Sequence, residues 1–202
     1  MKAEEFCAVF DRSIDDYHKT DSVDAVCVNP YDKGSLEHLL YEKNWIDAVQ
    51  WHLEDLIRNP FIEPTEALRI KRRIDMSNQE RTDIVELIDS HFMERYKNVK
   101  RRPDAELNTE TPAWAIDRLS ILILKIYHMR IEASRSDASR EHREMCSSKL
   151  SVLMQQREDL TCAIDALFRD IESGARYMKV YKQMKMYNDT DTNPVLYSAN
   201  GK

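Results

Sequence analysis

The chain has 202 residues, with 30 Lys plus Arg against 36 Asp plus Glu, and a formal net charge of −6. That acidic balance excludes a general nucleic-acid-binding surface, and the length is that of one domain. Only 3 Gly and 6 Pro punctuate a sequence that is 42% hydrophobic and 33% charged, so few breakers and many helix formers point to an all-α protein.

Phe6, Val9, Phe10, Ile14 and Tyr17 recur at helical spacing and predict a first helix over residues 3–18. Thr20 to Gly34, with Asn29-Pro30 and Asp32, reads as a loop. Ser35 opens a second helix that runs to about Arg58 and stops before Asn59-Pro60. Its apolar row, Leu36, Leu39, Ile46, Leu53 and Ile57, is interrupted by Lys43 and Gln50. Asp47 lies one turn from Lys43 and can pair with it.

Pro64 starts a third helix that extends to Tyr96, with Ile70, Ile74, Ile84, Ile88 and Phe92 as its stripe. Asn78 and Arg81 stand where that stripe should be apolar, and Arg81 shares a row with Ile74 and Ile88. After a basic loop, Thr111 is the expected N-cap and Pro112 the first residue of a central helix ending near 134. Trp114, Ile121, Leu124 and Ile131 predict its buried side, with Leu119, Ile123 and Ile126 beside them. Asp117 and His128 fall within that row, so Asp117 needs a cationic partner, for which Arg81 is the first candidate.

The last long helix starts near Ser139, and Leu150, Leu153, Leu160, Ile164, Leu167, Ile171 and Met178 repeat along it, interrupted by Arg157. Unbroken to Lys182 it would be about 65 Å long at about 1.5 Å per residue, so a bend is expected at Ser173-Gly174. From Asn188 the polar tail is expected to be disordered, leaving residues 1–187 as the domain. The elements assemble into an antiparallel helical bundle of about five helices with a long C-terminal helix.

No apolar run approaches a membrane span; Ile121 to Leu124 ends at Lys125. Met1 to Glu5 has no apolar core behind it, so no signal peptide and no membrane contact are expected. Cys7, Cys27, Cys146 and Cys162 are scattered without a CxxC pair, which fits reduced thiols in a cytoplasmic setting.

Polar groups interrupt three helices near mid-length: Lys43, Asp47 and Gln50; Asn78 and Arg81; Asp117, Arg118, Lys125 and His128. With Arg157 they form a net-basic set, expected to bind a small anion such as a sugar phosphate or nucleotide, without a cofactor. A di-iron site needs Glu-x-x-His, which is missing here, and the lone HxxxE of His38 and Glu42 is not repeated. No transition-metal ligand set is therefore expected. An alternative is a Mg²⁺-dependent nucleotide or phosphosugar hydrolase resembling the all-α pyrophosphohydrolases. There, Glu63 and Glu66 would precede a metal pair, Glu80 and Asp83. A third expectation is a non-enzymatic adaptor, a homodimer through the last helix. Ser120 and Cys162 read as packing residues.

Tyr41–Pro60 (YEKNWIDAVQWHLEDLIRNP), Glu66–Asp89 (EALRIKRRIDMSNQERTDIVELID) and Leu107–Met129 (LNTETPAWAIDRLSILILKIYHM) resemble the uncharacterised bacterial domain-of-unknown-function family 4254. The resemblance covers about Gly34 to beyond Ile171. It implies a helical fold and a bacterial cytoplasmic setting, and it carries over no catalytic residue. Asp117 to Leu122 is also similar to a segment of uncharacterised families linked to surface-glycan gene clusters, which implies an accessory role in surface-glycan metabolism.

Overall fold

Each long helix begins where the sequence offers its first N–H groups a partner or removes one. In the computed structural model, which describes residues 2–182, 186 and 189–199, α1 spans Ala3–His18. Asp165 Oδ1 accepts from the Ala3 N–H at 2.8 Å. Ser35, Thr111 and Ser139 cap α2 (Leu36–Ile57), α4 (Pro112–Ser134) and α5 (Arg140–Glu172) through their hydroxyls. Pro64 begins α3 (Pro64–Tyr96) at a position whose N–H would have no helical partner. A short helix, α6, spans Pro194–Ala199. The fold is thus the expected all-α bundle, among the described residues five long helices and one short one.

Helix α4 is the hub, touching α1, α2, α3 and α5. Around it Phe6, Phe10 and Ile14 of α1, Leu40 and Tyr41 of α2, Ile88 and Phe92 of α3, and Ile164 and Phe168 of α5 form the main core. Leu53, Ile70 and Ile74 form a smaller cluster between α2 and α3.

The phase of α4 differs from the expectation. Ala113, Ile116, Leu119, Ile123, Leu124 and Ile126 are buried, whereas Trp114 and Ile121 are half-buried and Ile131 is 45% exposed. A helix apolar on nearly every side has no stripe of its own; its neighbours choose the face. The same holds in α2, where Leu40, Tyr41, Trp45 and Ala48 are buried while Leu39, Ile46 and Ile57 are half-buried.

Helix α5 stops at Glu172, and Gly174, at φ +72°, turns the chain. Arg176–Tyr177 (β2) then pairs in parallel with Glu106–Leu107 (β1), a two-residue ladder that the sequence did not announce. The expected bend is therefore a helix end. Of the tail expected to be disordered, residues 189–199 are described and include α6, while the boundary at 187 and 188 lies outside the described residues. Among the described residues no helix is long and apolar enough to cross a membrane. All four cysteines are free, and Cys162, expected to pack, is exposed.

A Cβ on Gly174 would sit 2.2 Å from the Lys100 carbonyl oxygen, whereas one on Gly34, also at positive φ, would meet nothing within 4 Å. Gly34→Ala should cost about 1 kcal/mol, the left-handed penalty alone. Gly174→Ala adds the clash and should cost roughly 3 kcal/mol or more. Urea unfolding of both variants checks this, and equal losses would contradict the tight turn.

Candidate functional site

Lys43 has no exposed surface, and its ammonium sits between two carboxylates. Asp47, one turn on along α2, is the nearer, and Asp117 Oδ1 of α4 lies at 2.9 Å. Lys43 Nζ also donates to the Asp117 carbonyl oxygen at 3.2 Å. From α3, Arg81 grips the same Asp117 carboxylate with both arms of a fork, Nε to Oδ1 at 3.0 Å and Nη2 to Oδ2 at 2.5 Å. Arg81 Nε lies 3.4 Å from Asp47 Oδ1. Ser120, one turn beyond Asp117, donates to Asp47 Oδ2 at 2.6 Å and accepts from Asn44 Nδ2 at 2.9 Å. Beside them Gln50 donates to Asn78 Oδ1 at 2.8 Å and accepts from Ser77 Oγ at 3.3 Å.

The electrostatics follow from this packing. Burial pushes the Asp117 carboxyl up, but Lys43 and the Arg81 hydrogen bonds more than reverse it, so its pKa lies below the usual range. Asp47 is raised: burial dominates over Lys43, and the Asp117 charge adds to it. Burial lowers the Arg81 pKa, yet its bonds to Asp117 and the nearby Asp47 leave it raised. Two cations and two carboxylates cancel. The core set is neutral, not net-basic, which corrects the sequence expectation.

Four expected members lie elsewhere. Arg118 and Lys125 are exposed, share the outer face of α4 and line an open groove against Gln156 and Asp159 of α5. Arg118 pairs there with Glu110 at 2.6 Å. Arg157 is paired with Glu4. His128 sits off the network, its ring stacked on Trp51 at 4.7 Å and 5°. The buried face of α4 is shifted from the apolar row read in the sequence, which leaves Arg118 and Lys125 outside and His128 at its margin.

Glu80 and Asp83, the pair of the Mg²⁺ alternative, are exposed on α3, where Asp83 accepts from Gln79. Among the described residues no third carboxylate or histidine joins them closely enough to share an ion. Glu66 is held by Arg69.

The network is not sealed. Arg81 keeps 26% of its side chain exposed, and it lines a cavity of about 320 Å³ together with Asp47, Gln50, Ile121 and Leu124. Trp51, Glu54, Asp55 and Arg58 complete the walls. Among the described residues Arg81 makes no hydrogen bond through Nη1, since Nε and Nη2 go to Asp117. Arg58 pairs with Glu54 at 2.7 Å and stays largely exposed. Asn44 and most of this rim have no assigned role in the sequence reading, and Ser120, read there as a packing residue, is a hydrogen-bonding member of the network. The signal for Ser120 was its place three residues after Asp117 on the same helix face.

The sequence pattern described as "Protein of unknown function (DUF4254)" matches residues 37–180. The chain belongs to the DUF4254 family. Comparisons with curated proteins and with solved structures gave no match. The DUF4254 stretch holds the whole network and cavity and leaves α1 outside it.

Asp117→Ala would leave Lys43 with Asp47 as its one carboxylate and release Arg81. It should cost about 3 kcal/mol, the scale for breaking a buried pair, while Asp83→Ala on the exposed face of α3 should stay within about 0.5 kcal/mol. Chemical unfolding measures both; an unchanged midpoint for Asp117→Ala would contradict the network.

Proposed function

We propose that the chain is a small-molecule-binding protein whose cavity takes a hydroxylated, singly phosphorylated ligand of the sugar-monophosphate class. The observation that carries this reading is Arg81. Asp117 fixes one edge of its guanidinium, and the cavity meets the rest. A pre-oriented, always-charged donor at a cavity wall suits a phosphate or carboxylate. Arg58 on the rim is a second cation within the same cavity wall. Trp51, Ile121 and Leu124 offer an apolar surface for the body of a ring, and Glu54, Asp55 and Gln50 offer acceptors for hydroxyl groups.

The two carboxylates on the rim also discriminate. A triphosphate would bring several negative charges against Glu54 and Asp55, whereas a monophosphate can be met by Arg81 and Arg58 alone. The free cysteines support a reducing, cytoplasmic setting for this role. An accessory step in surface-glycan metabolism, where such phosphosugars are handled, is consistent with this chemistry.

One observation favours a second reading. The pairing of Lys43, Asp47 and Asp117 is what a scaffold shows when its polar core only sets helix register. In that case the protein is a helical adaptor pairing through α5.

A thermal-shift screen against sugar monophosphates, nucleoside triphosphates and Mg²⁺ tests the proposal, because a ligand specific for the folded state raises its apparent stability. Sugar monophosphates should raise the midpoint and triphosphates should not. Arg58→Met, at an exposed position, should weaken binding roughly tenfold without loss of stability, and Arg81→Met should abolish it. Stabilisation that survives both changes would overturn the site. A response only to Mg²⁺ would favour the hydrolase reading, and no response with a dimer in solution would favour the adaptor.

A further inference from the structure

Behind the cavity wall, three helices bring imidazoles together. His18 ends α1, His52 lies in the second half of α2, and His128 lies in the second half of α4. One ring nitrogen of each lies within 4.8 Å of the others, the only group of three or more His, Cys, Asp or Glu so placed among the described residues. We infer that these three histidines bind one divalent transition-metal cation of the zinc class, with Asp21 or a water as the remaining ligand.

The spacing is that of a metal site. His18 Nε2 and His52 Nε2 are 3.3 Å apart. Metal–nitrogen bonds of about 2.0–2.1 Å in a tetrahedron place two ligand nitrogens about 3.4 Å apart. The three ring centroids are each 5.4 Å from the other two, with interplanar angles of 66°, 68° and 71°. Three imidazoles bound to one tetrahedral centre put their centroids roughly 5.2 Å apart, by the same bond lengths. Mutual hydrophobic packing of three rings does not require three equal separations.

The surroundings prepare each ring. His18 Nδ1 sits 2.7 Å from the Ile14 carbonyl oxygen, an acceptor that holds the proton on Nδ1 and leaves the Nε2 lone pair for the cluster. His128 makes no hydrogen bond among the described residues, and its Nε2 is buried without a partner. A bare buried imidazole nitrogen is costly unless something binds it. Tyr17 stacks on His52 at 5.3 Å and 15°, and Trp51 on His128, so two of the rings are clamped. Asp21, the only non-glycine residue at positive φ among those described, puts its Oδ1 3.7 Å from His52 Nε2. It is largely exposed, which leaves the fourth position open to water. Imidazole nitrogens select zinc, cobalt, nickel or copper over Mg²⁺ or Ca²⁺.

No sequence spacing could announce this site. The ligands come from three helices, one each, so no two share the one-turn separation by which helical metal motifs are read. The inference is independent of the phosphate cavity, whose residues are not ligands.

Tag-free protein, treated with a chelator and then titrated with Co²⁺, gives the test. The expected result is one Co²⁺ per chain, with a visible spectrum of a four-coordinate nitrogen and oxygen site, displaced by Zn²⁺, and a rise in melting temperature that saturates at one equivalent. His18→Gln, His52→Gln and His128→Gln should each weaken binding by about 100-fold or more, and Asp21→Asn by about tenfold, with Cys27→Ser and Cys162→Ser unchanged. Circular dichroism checks folding. Should His128→Gln fail to fold, His18→Gln at the helix end carries the same test. Absence of a Co²⁺ spectrum in the parent protein, a thiolate-to-cobalt charge-transfer band, or histidine variants that bind equally well would overturn the site.

Discussion

The structure depends on one buried ammonium. Lys43 lies wholly inside the bundle, and taking such a charge out of water costs several kcal/mol unless carboxylates and carbonyls replace the water. Asp47 is supplied locally, one helical turn away, but the second carboxylate must come from α4. Asp117 then has a second oxygen to satisfy, and the Arg81 fork from α3 does so. One cation thereby sets the register of three helices. Because the charges cancel, the network contributes more to which arrangement forms than to how stable it is.

From that constraint the cavity follows. Arg81 cannot swing freely, since Asp117 holds it by two bonds. Its remaining edge is presented beside Trp51, at the boundary between a closed core and solvent. A rigid scaffold with one pre-oriented guanidinium at its rim is an economical way to recognise an oxyanion, because little side-chain entropy is lost on binding. Trp51 also backs His128, so the cavity and the histidine cluster share a wall.

Much of this was legible in the chain. Serine, threonine and proline at helix starts act locally, so the boundaries of α2, α3, α4 and α5 could be read from them. The seven-residue spacing of Ile74, Arg81 and Ile88 turned Arg81 toward the core, and Asp117 was the carboxylate that needed it. The phase of α4 was not legible. With four neighbouring helices, it buries most of its circumference, and its stripe says little about which side each polar residue takes. The periodicity places Arg118 and Lys125 with the core set, and both lie outside it. The roles of Asn44 and Ser120 depend on a partner helix, and the meeting of His18, His52 and His128 depends on three. Periodicity along one element carries no trace of either.

The most direct measurement is an NMR titration of the ¹⁵N-labelled arginine and tryptophan side chains and the lysine ammonium with a sugar monophosphate. The account predicts saturable shifts for Arg81 and the Trp51 indole, with the Lys43 signal unmoved because the core network stays closed. Shifts confined to the exposed Arg118 and Lys125, or no saturable shift at Arg81, would contradict it.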